Sequence, residues 1–386
     1  MITPLELTKQ LISLPSYVSD TQDETPVIEF LAGFLATSFP TMTVGKQYLA
    51  NTKRCNLVLR GKNSPKLFAL GHIDTVQPKA GWQTNPLQPL VKAGKLYGLG
   101  AADMKGSLAA FLCALLQERR NIKLDDLMLL MYVDEEYDFK GMKRFLSDDT
   151  VLAIQPKLTL SLDGELSIAS GCRGLIELSL RIKGRSGHAA NPDNGINAIT
   201  QTIAALQTVN MELAACRDND LGETTTNLAF IQGGVLQTVG NKNVWLREGN
   251  VIPDAAELVF EVRPALPALT AELVLRKIKA AAEREGLRLV DSSIRHDIPP
   301  WPVDYDRETL AVLKKSYANA GVPFRPSDRR LQGYIDAQMV TEKITAPTVI
   351  IGTGGNNKHG ADEHVPLKNI EATSRVYAAL LREVLA

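Results

Sequence analysis

"LLMYVDEEYD", Leu129 to Asp138, decides the fold of this chain. An apolar run that begins at Leu127 stops abruptly in three acids, Asp134, Glu135 and Glu136. A short continuous apolar run suits a central strand buried on both faces of a parallel sheet. Adjacent carboxylates repel each other unless a cation sits among them or water solvates them. Two readings are open at this point: a solvated strand exit, or carboxylates with separate tasks. Taken alone, the run is more often the former.

Working outward, Cys55 to Leu59, Lys66 to Gly71, Leu158 to Leu162 and Thr348 to Ile351 read as further strands. Helices are expected between and around them. Thr3-Pro4-Leu5-Glu6 has the form of a capping box with proline at the first helical position, starting a helix from Pro4 to about Leu14. Thr25 to Phe39, Gly106 to Glu118, Arg307 to Ala320 and Leu367 to Leu385 carry helical periodicity. Strands alternating with helices predict an α/β fold, with a mostly parallel central sheet flanked by helices.

The texture changes near Gly174. "LIELSLRIKG" (Leu175 to Gly184), "TNLAFIQGG" (Thr226 to Gly234) and "ELVFEVRP" (Glu257 to Pro264) alternate apolar and polar residues, as half-exposed antiparallel strands do. Helices are expected at Ile196 to Leu213 and Thr270 to Glu285. The expectation is an α+β insert, residues 174–293, between two parts of an α/β domain, residues 1–173 and 294–386. "HDIPPWPVD" (His296 to Asp304) reads as the return linker.

Bulk properties bound the function. The chain has 386 residues, more than one core usually holds, so two domains are expected. Lys+Arg and Asp+Glu are both 43, which gives no basic excess for nucleic acid. The four cysteines, Cys55, Cys113, Cys172 and Cys216, are scattered without CxxC spacing and read as reduced thiols. No signal-peptide pattern opens the sequence, and no apolar run reaches the length of a membrane span. A cytoplasmic protein with no membrane and no nucleic-acid partner is expected.

Histidines and acids cluster at predicted strand ends. "LFALGHIDTVQP" puts His72 and Asp74 just past a strand, two apart and therefore facing one side of an extended chain. "YGLGAADMKGSLAAF" puts Asp103 in a glycine-rich turn at a helix start, "LSLDGE" puts Asp163 after a strand, and "GGNNKHGADEH" puts His359 after the last one. In open α/β sheets, ligands bind beyond the carboxyl ends of the strands. Each residue alone has an ordinary reading: Asp103 as a helix cap, His359 as an exposed loop residue, and His296 and His364 likewise. Their joint occurrence in one order points to a nitrogen/oxygen metal site suited to zinc, manganese or cobalt. Two ions spaced roughly 3.5–4 Å would relieve the repulsion among the acids.

The ordered set resembles the acetylornithine deacetylase / succinyl-diaminopimelate desuccinylase / carboxypeptidase G2 family of zinc metallohydrolases. The resemblance runs from "GHIDTV" (Gly71 to Val76) through "GAADMKGSLAA", "DEE" and "GRSGHAANPDNGINAI" to "KHGADEHVP". It implies two Zn2+ ions (or Co2+ or Mn2+), with His72 and Asp163 on one, Glu136 and His359 on the other, and Asp103 bridging. It further implies that Asp74 orients His72, that Glu135 is the general base and acid, and that the insert is a dimerisation or lid domain. His188 in "RSGHAANP" would reach the active site of the partner in a homodimer and stabilise the oxyanion. Asn250, Arg263 and Gly354 match positions that bind substrate, with arginine a natural fork for a carboxylate and "GTGGNN" (Gly352 to Asn357) offering backbone N–H groups.

The sequence departs from the family pattern at three places. Asp163 stands where deacylases and carboxypeptidases usually carry Glu; Asp there is more typical of the related aminopeptidases and dipeptidases. Glu261 stands where Asp is usual, a change expected to touch lid packing alone. "QGYIDAQ" (Gln332 to Gln338) is bulkier than the family's Gly-Thr-Asp segment. The reaction implied is hydrolysis of an N-acyl amino acid, acetylornithine deacetylation first. The alternatives are desuccinylation of succinyl-diaminopimelate, towards which "GAADMKGSLAA" leans, and a dipeptidase or aminopeptidase activity, favoured by Asp163.

Overall fold

The apolar run does form a strand, Leu127–Tyr132, with all its residues buried. The computed structural model describes every residue except Met1, Ser170, Asn241, Val303, Asp304, Arg329 and 331–333. By contacts the chain divides into two units, one of Met1–Ser170, Val303–Ser327 and Ile335–Ala386, the other of Gly171–Pro302 and Asp328–Tyr334.

In the first unit, six strands form one sheet in the order Thr43–Tyr48, Cys55–Arg60, Leu127–Tyr132, Leu67–His72, Leu158–Ser161, Thr348–Ile350. The last four run parallel to one another, and Cys55–Arg60 runs antiparallel to both of its neighbours. Parallel pairing brings the carboxyl ends of those four strands to one edge, with His72 opposite Tyr132 in register. The acids that follow Tyr132 and Ser161 therefore emerge beside His72. Helices Pro4–Ile12, Gly106–Glu118, Arg307–Ala320 and Leu367–Leu385 contribute to the core that covers the sheet. Gly106–Glu118 is buried almost throughout, which fits its run of Ala and Leu. The capping box of the first helix is present, with Thr3 and Glu6 each bonding the other's backbone N–H.

The second unit holds a five-stranded antiparallel sheet in the order Lys242–Leu246, Thr225–Val239, Ala255–Arg263, Leu175–Lys183, Arg288–Ile298. Ile176, Leu178, Leu180 and Ile182 alternate inward and join one core with helices Ala198–Ala214 and Ala271–Arg284. Here the structure corrects the sequence reading. His296, Asp297 and Ile298 end the Arg288–Ile298 strand instead of opening a linker, while Val303 and Asp304 of that segment lie outside the described residues. The strand is mostly exposed and polar, so it shows little alternation, and its partner is the backbone of Leu175–Lys183. Thr43–Tyr48 escaped notice for the same reason, as an edge strand carrying Lys46 and Gln47.

Candidate metal centre

His72 is the last residue of its strand, and its ring is almost wholly buried. Its Nδ1 lies 3.1 Å from the Asp74 carbonyl oxygen and 3.6 Å from Asp74 Oδ1. This leaves Nε2 facing Asp103, 3.1 Å from Oδ1. Asp74 Oδ2 accepts from the Glu136 N–H at 3.0 Å, joining the segment after His72 to the acidic one. Asp103 sits in an irregular turn whose Gly100 has φ 78, a left-handed value that favours glycine. Its Oδ2 lies 3.4 Å from His359 Nε2, and His359 Nε2 lies 3.0 Å from Glu136 Oε2.

The donor atoms fall into overlapping groups: His72, Asp103 and Asp163; Asp103, Glu136 and His359; and His72, Glu135 and Glu136. Within each group the atoms lie within 4.8 Å of one another. Asp103 is common to the first two, one oxygen toward each histidine. The structure thus brings together the seven residues expected here, with Asp74 behind His72. Burial pushes the carboxyls of Glu135, Glu136 and Asp163 upward; the charge of Asp336 adds at Glu135, and that of Asp103 adds at Asp163 and Glu136. Hydrogen bonding from His359 opposes the shift at Glu136. Four carboxylates crowded with two imidazoles, with nitrogen and oxygen donors only, fit divalent ions of the zinc, cobalt and manganese class.

Asp134, the first acid of the cluster, has a different setting. It is buried, with φ 71. Its carboxylate accepts from Arg54 Nη2 and from the N–H groups of Asp138 (3.1 Å) and Lys140 (3.2 Å). Arg54 also forks onto buried Glu24, with both bonds at 2.6 Å. Asp134 therefore shapes the turn that carries Glu135 and Glu136. Nothing in the sequence around Arg54 or Glu24 links them to that turn, since the partners lie 80 and 30 residues from Arg54.

Two further residues went unread. Lys358 places Nζ 3.9 Å from Asp103 Oδ2 and 3.7 Å from Asp163 Oδ1. Glu363 is 1% exposed and accepts the N–H groups of Gly100, Ala102 and Asp103. Both stand in "KHGADEH", quoted for His359 alone. A charged residue within a few positions of a candidate ligand was the available signal.

Gly354 behaves differently from the expectation. Its N–H donates to the Gly164 carbonyl at 2.9 Å, and those of Gly352, Thr353 and Asn356 are likewise taken by Glu165 O, Ser107 Oγ and His364 O. What Gly354 allows is the close approach of Glu165, whose carboxylate lies where a Cβ would stand. Of "QGYIDAQ", Gln332 and Gly333 lie outside the described residues, while Asp336 is buried and Ala337 begins a short helix.

In the second unit, His188 is exposed and pairs with Val251, while Ala189 N donates to Asn250 O at 2.9 Å, so His188 and Asn250 are neighbours. Ala190 N–H donates to His188 Nδ1 at 3.1 Å, so a neutral ring carries its proton on Nε2. Arg263 is held by Glu261 through bonds of 2.9 and 3.2 Å. Residues two apart on a strand share a face, so Glu261 bears directly on the Arg263 guanidinium and not on lid packing alone.

The sequence profile of peptidase family M20/M25/M40 matches residues 69–383. The chain is 32% identical over 413 aligned positions to a succinyl-diaminopimelate desuccinylase of Halorhodospira halophila, covering 100% of this chain and 99% of that protein. It is 28% identical over 399 positions to an acetylornithine deacetylase of Proteus mirabilis, covering 98% and 96%. Among solved structures it is similar to a tripeptidase from Staphylococcus aureus, with TM-score 0.77, 20% identity and coverage of 99% and 97%. It is also similar to an M20 family metallo-carboxypeptidase from Sulfolobus solfataricus, with TM-score 0.77, 14% identity and coverage of 99% of both chains. At such identities the two structures speak to the fold alone.

Proposed function

The chain belongs to peptidase family M20/M25/M40, and from that premise we propose that it is a metal-dependent amidohydrolase cleaving an N-acyl amino acid into a carboxylate and a free amine. The observation that supports this most is the division of Asp103, whose two oxygens face His72 at 3.1 Å and His359 at 3.4 Å. A carboxylate so placed is suited to bridge two cations. His72, Asp103 and Asp163 would hold one ion, and Asp103, Glu136 and His359 the other, with Zn2+ first and Co2+ or Mn2+ as alternatives. When bound, such ions supply Lewis-acid polarisation of the amide carbonyl and make a nearby water more acidic.

The protein's own groups handle the protons and the orientation. Glu135, beside His72 and outside both ion-holding groups, takes the proton of the attacking water and delivers it to the leaving nitrogen. Asp74 fixes the His72 ring through its Nδ1 side. Arg263, aligned by Glu261, receives a substrate carboxylate together with Asn250. His188 of a second copy donates from Nε2 to the developing oxyanion in a homodimer. The protein is assigned to the cytoplasm, in keeping with four free cysteines. No described helix is long and apolar enough to cross a membrane.

A second reading concerns the acyl group. Asp163, by its type, favours a dipeptidase or aminopeptidase, and the 32% identity to a desuccinylase favours a succinyl group. A screen of acetyl-ornithine, acetyl-citrulline, succinyl-diaminopimelate and simple dipeptides with added zinc or cobalt separates these. Hydrolysis of at least one is expected, and it should vanish in Glu135→Ala with metal content retained. If the wild type hydrolyses none of them, the amidohydrolase reading fails.

A further inference from the structure

The turn that carries Asp103 satisfies only part of its backbone locally, through Ala101 N–H on Gly98 O and Lys105 N–H on Gly100 O. Asp103 itself has φ −131 and ψ 92, and the helix proper begins only at Gly106. Buried N–H groups in such a turn need acceptors from elsewhere. One side chain accepts three of these N–H groups. Glu363 Oε2 accepts from Gly100 at 2.8 Å, and Oε1 accepts from Ala102 at 2.8 Å and Asp103 at 3.0 Å. The Glu363 carbonyl oxygen takes a fourth, from Gly98 N–H at 3.1 Å.

Glu363 lies four residues beyond His359, in the same loop. The two loops also touch directly: a Cβ on Gly355 would stand 2.3 Å from Ala102 Cβ. The spacing of 3.4 Å between Asp103 Oδ2 and His359 Nε2 is therefore set between two segments that one carboxylate ties together. Both oxygens of Glu363 are occupied by backbone donors, so it is not itself offered to a cation. A neutral amide would fall short, because it has one oxygen and would turn an N–H2 toward a donor.

We propose that Glu363 is a positioning residue, holding Asp103 at the spacing from His359 that lets it bridge two ions. This rests on the proposed metal centre. The test uses the full chain, freed of metal and titrated with Zn2+ against a chromophoric chelator and with Co2+ by visible absorption. Wild type is expected to bind two ions. Glu363→Gln, folded by circular dichroism, is expected to bind at least one ion about 10- to 100-fold more weakly, with a changed Co2+ band. Glu363→Asp, which keeps both oxygens but withdraws them, is expected to fall between. A folded Glu363→Gln with wild-type affinity and spectrum overturns the proposal. If Glu363→Gln does not fold, Glu363→Asp with wild-type affinity overturns it. Failure of both variants to fold overturns it as well, since Glu363 is then a stability residue. Wild type that binds no metal removes the metal-dependent reading itself, an outcome distinct from the others.

Discussion

Arg54→Met would strand two buried carboxylates. Glu24 and Asp134 are 0% and 1% exposed, and the guanidinium between them makes two bonds to the first and one to the second. Three charge-assisted bonds at about 1.5–3 kcal/mol each give a gross ceiling of about 5–9 kcal/mol. Protonation and relaxation of the orphaned acids bring the net loss to ~3–5 kcal/mol, the usual result of removing one member of a buried ion pair. For a unit of this size the melting midpoint should fall by ~6–20 °C. Burial already pushes the Glu24 carboxyl upward, with Arg54 opposing, so its partner's loss pushes the pKa further in that direction. Urea denaturation of the metal-saturated protein at neutral pH is the assay. Adding Glu24→Gln to Arg54→Met should recover part of the loss, because one stranded charge disappears. A single variant within ~1 kcal/mol of wild type would refute the reasoning, and so would a double variant no more stable than the single.

Three shorter predictions follow from the same geometry. Lys358→Met should lower the melting temperature of the metal-free protein and tighten ion binding on the order of tenfold, well inside the ~4 kcal/mol that a like charge at 4 Å costs near a surface; unchanged calorimetric affinity would count against it. Glu136→Gln should weaken the ion shared with His359, seen as a lower metal content by atomic absorption after dialysis, whereas Glu135→Gln should keep full content and lose turnover. Asp126 is bonded by Lys66 (2.6 Å) and Asn63 (2.7 Å), which hold its carboxyl below the usual range. Its stabilisation is present above the unfolded value of about 3.9 and is lost as pH falls through the lower folded value. Asp126→Asn should therefore be less stable than wild type at pH 7, and the gap in urea midpoint should close in acid.

Much of the first unit was legible because its strands are buried on both faces. Leu127–Tyr132 is an unbroken apolar run, Leu158–Ser161 is buried throughout, and their exits mark the site. Most ligand candidates were legible because they stand at such an exit, and Asp103 because it stands in a glycine-rich turn at a helix start. Illegible were groups whose meaning depends on distant partners: Arg54 beside Asp134, Glu363 beneath the Asp103 turn, and Lys358 against Asp103 and Asp163. Edge strands such as Arg288–Ile298 were missed because one exposed, polar side leaves no period to read. The GTGG segment misled in the opposite way. Its glycines suggested donors for a ligand, whereas Gly354 spends its N–H on Gly164.

The parallel pairing of Thr348–Ile350 with Leu158–Ser161 carries a consequence for biosynthesis. The whole sheet of the second unit is translated between those two strands. At about 5–20 residues per second, a ribosome needs roughly 10–40 s to pass from one to the other. During that interval the edge of Leu158–Ser161 has no neighbour to cover it, and neither His359 nor Glu363 has been made. The nascent chain thus carries an open strand edge beside acids that still lack their later partners, the kind of exposed intermediate on which chaperones act.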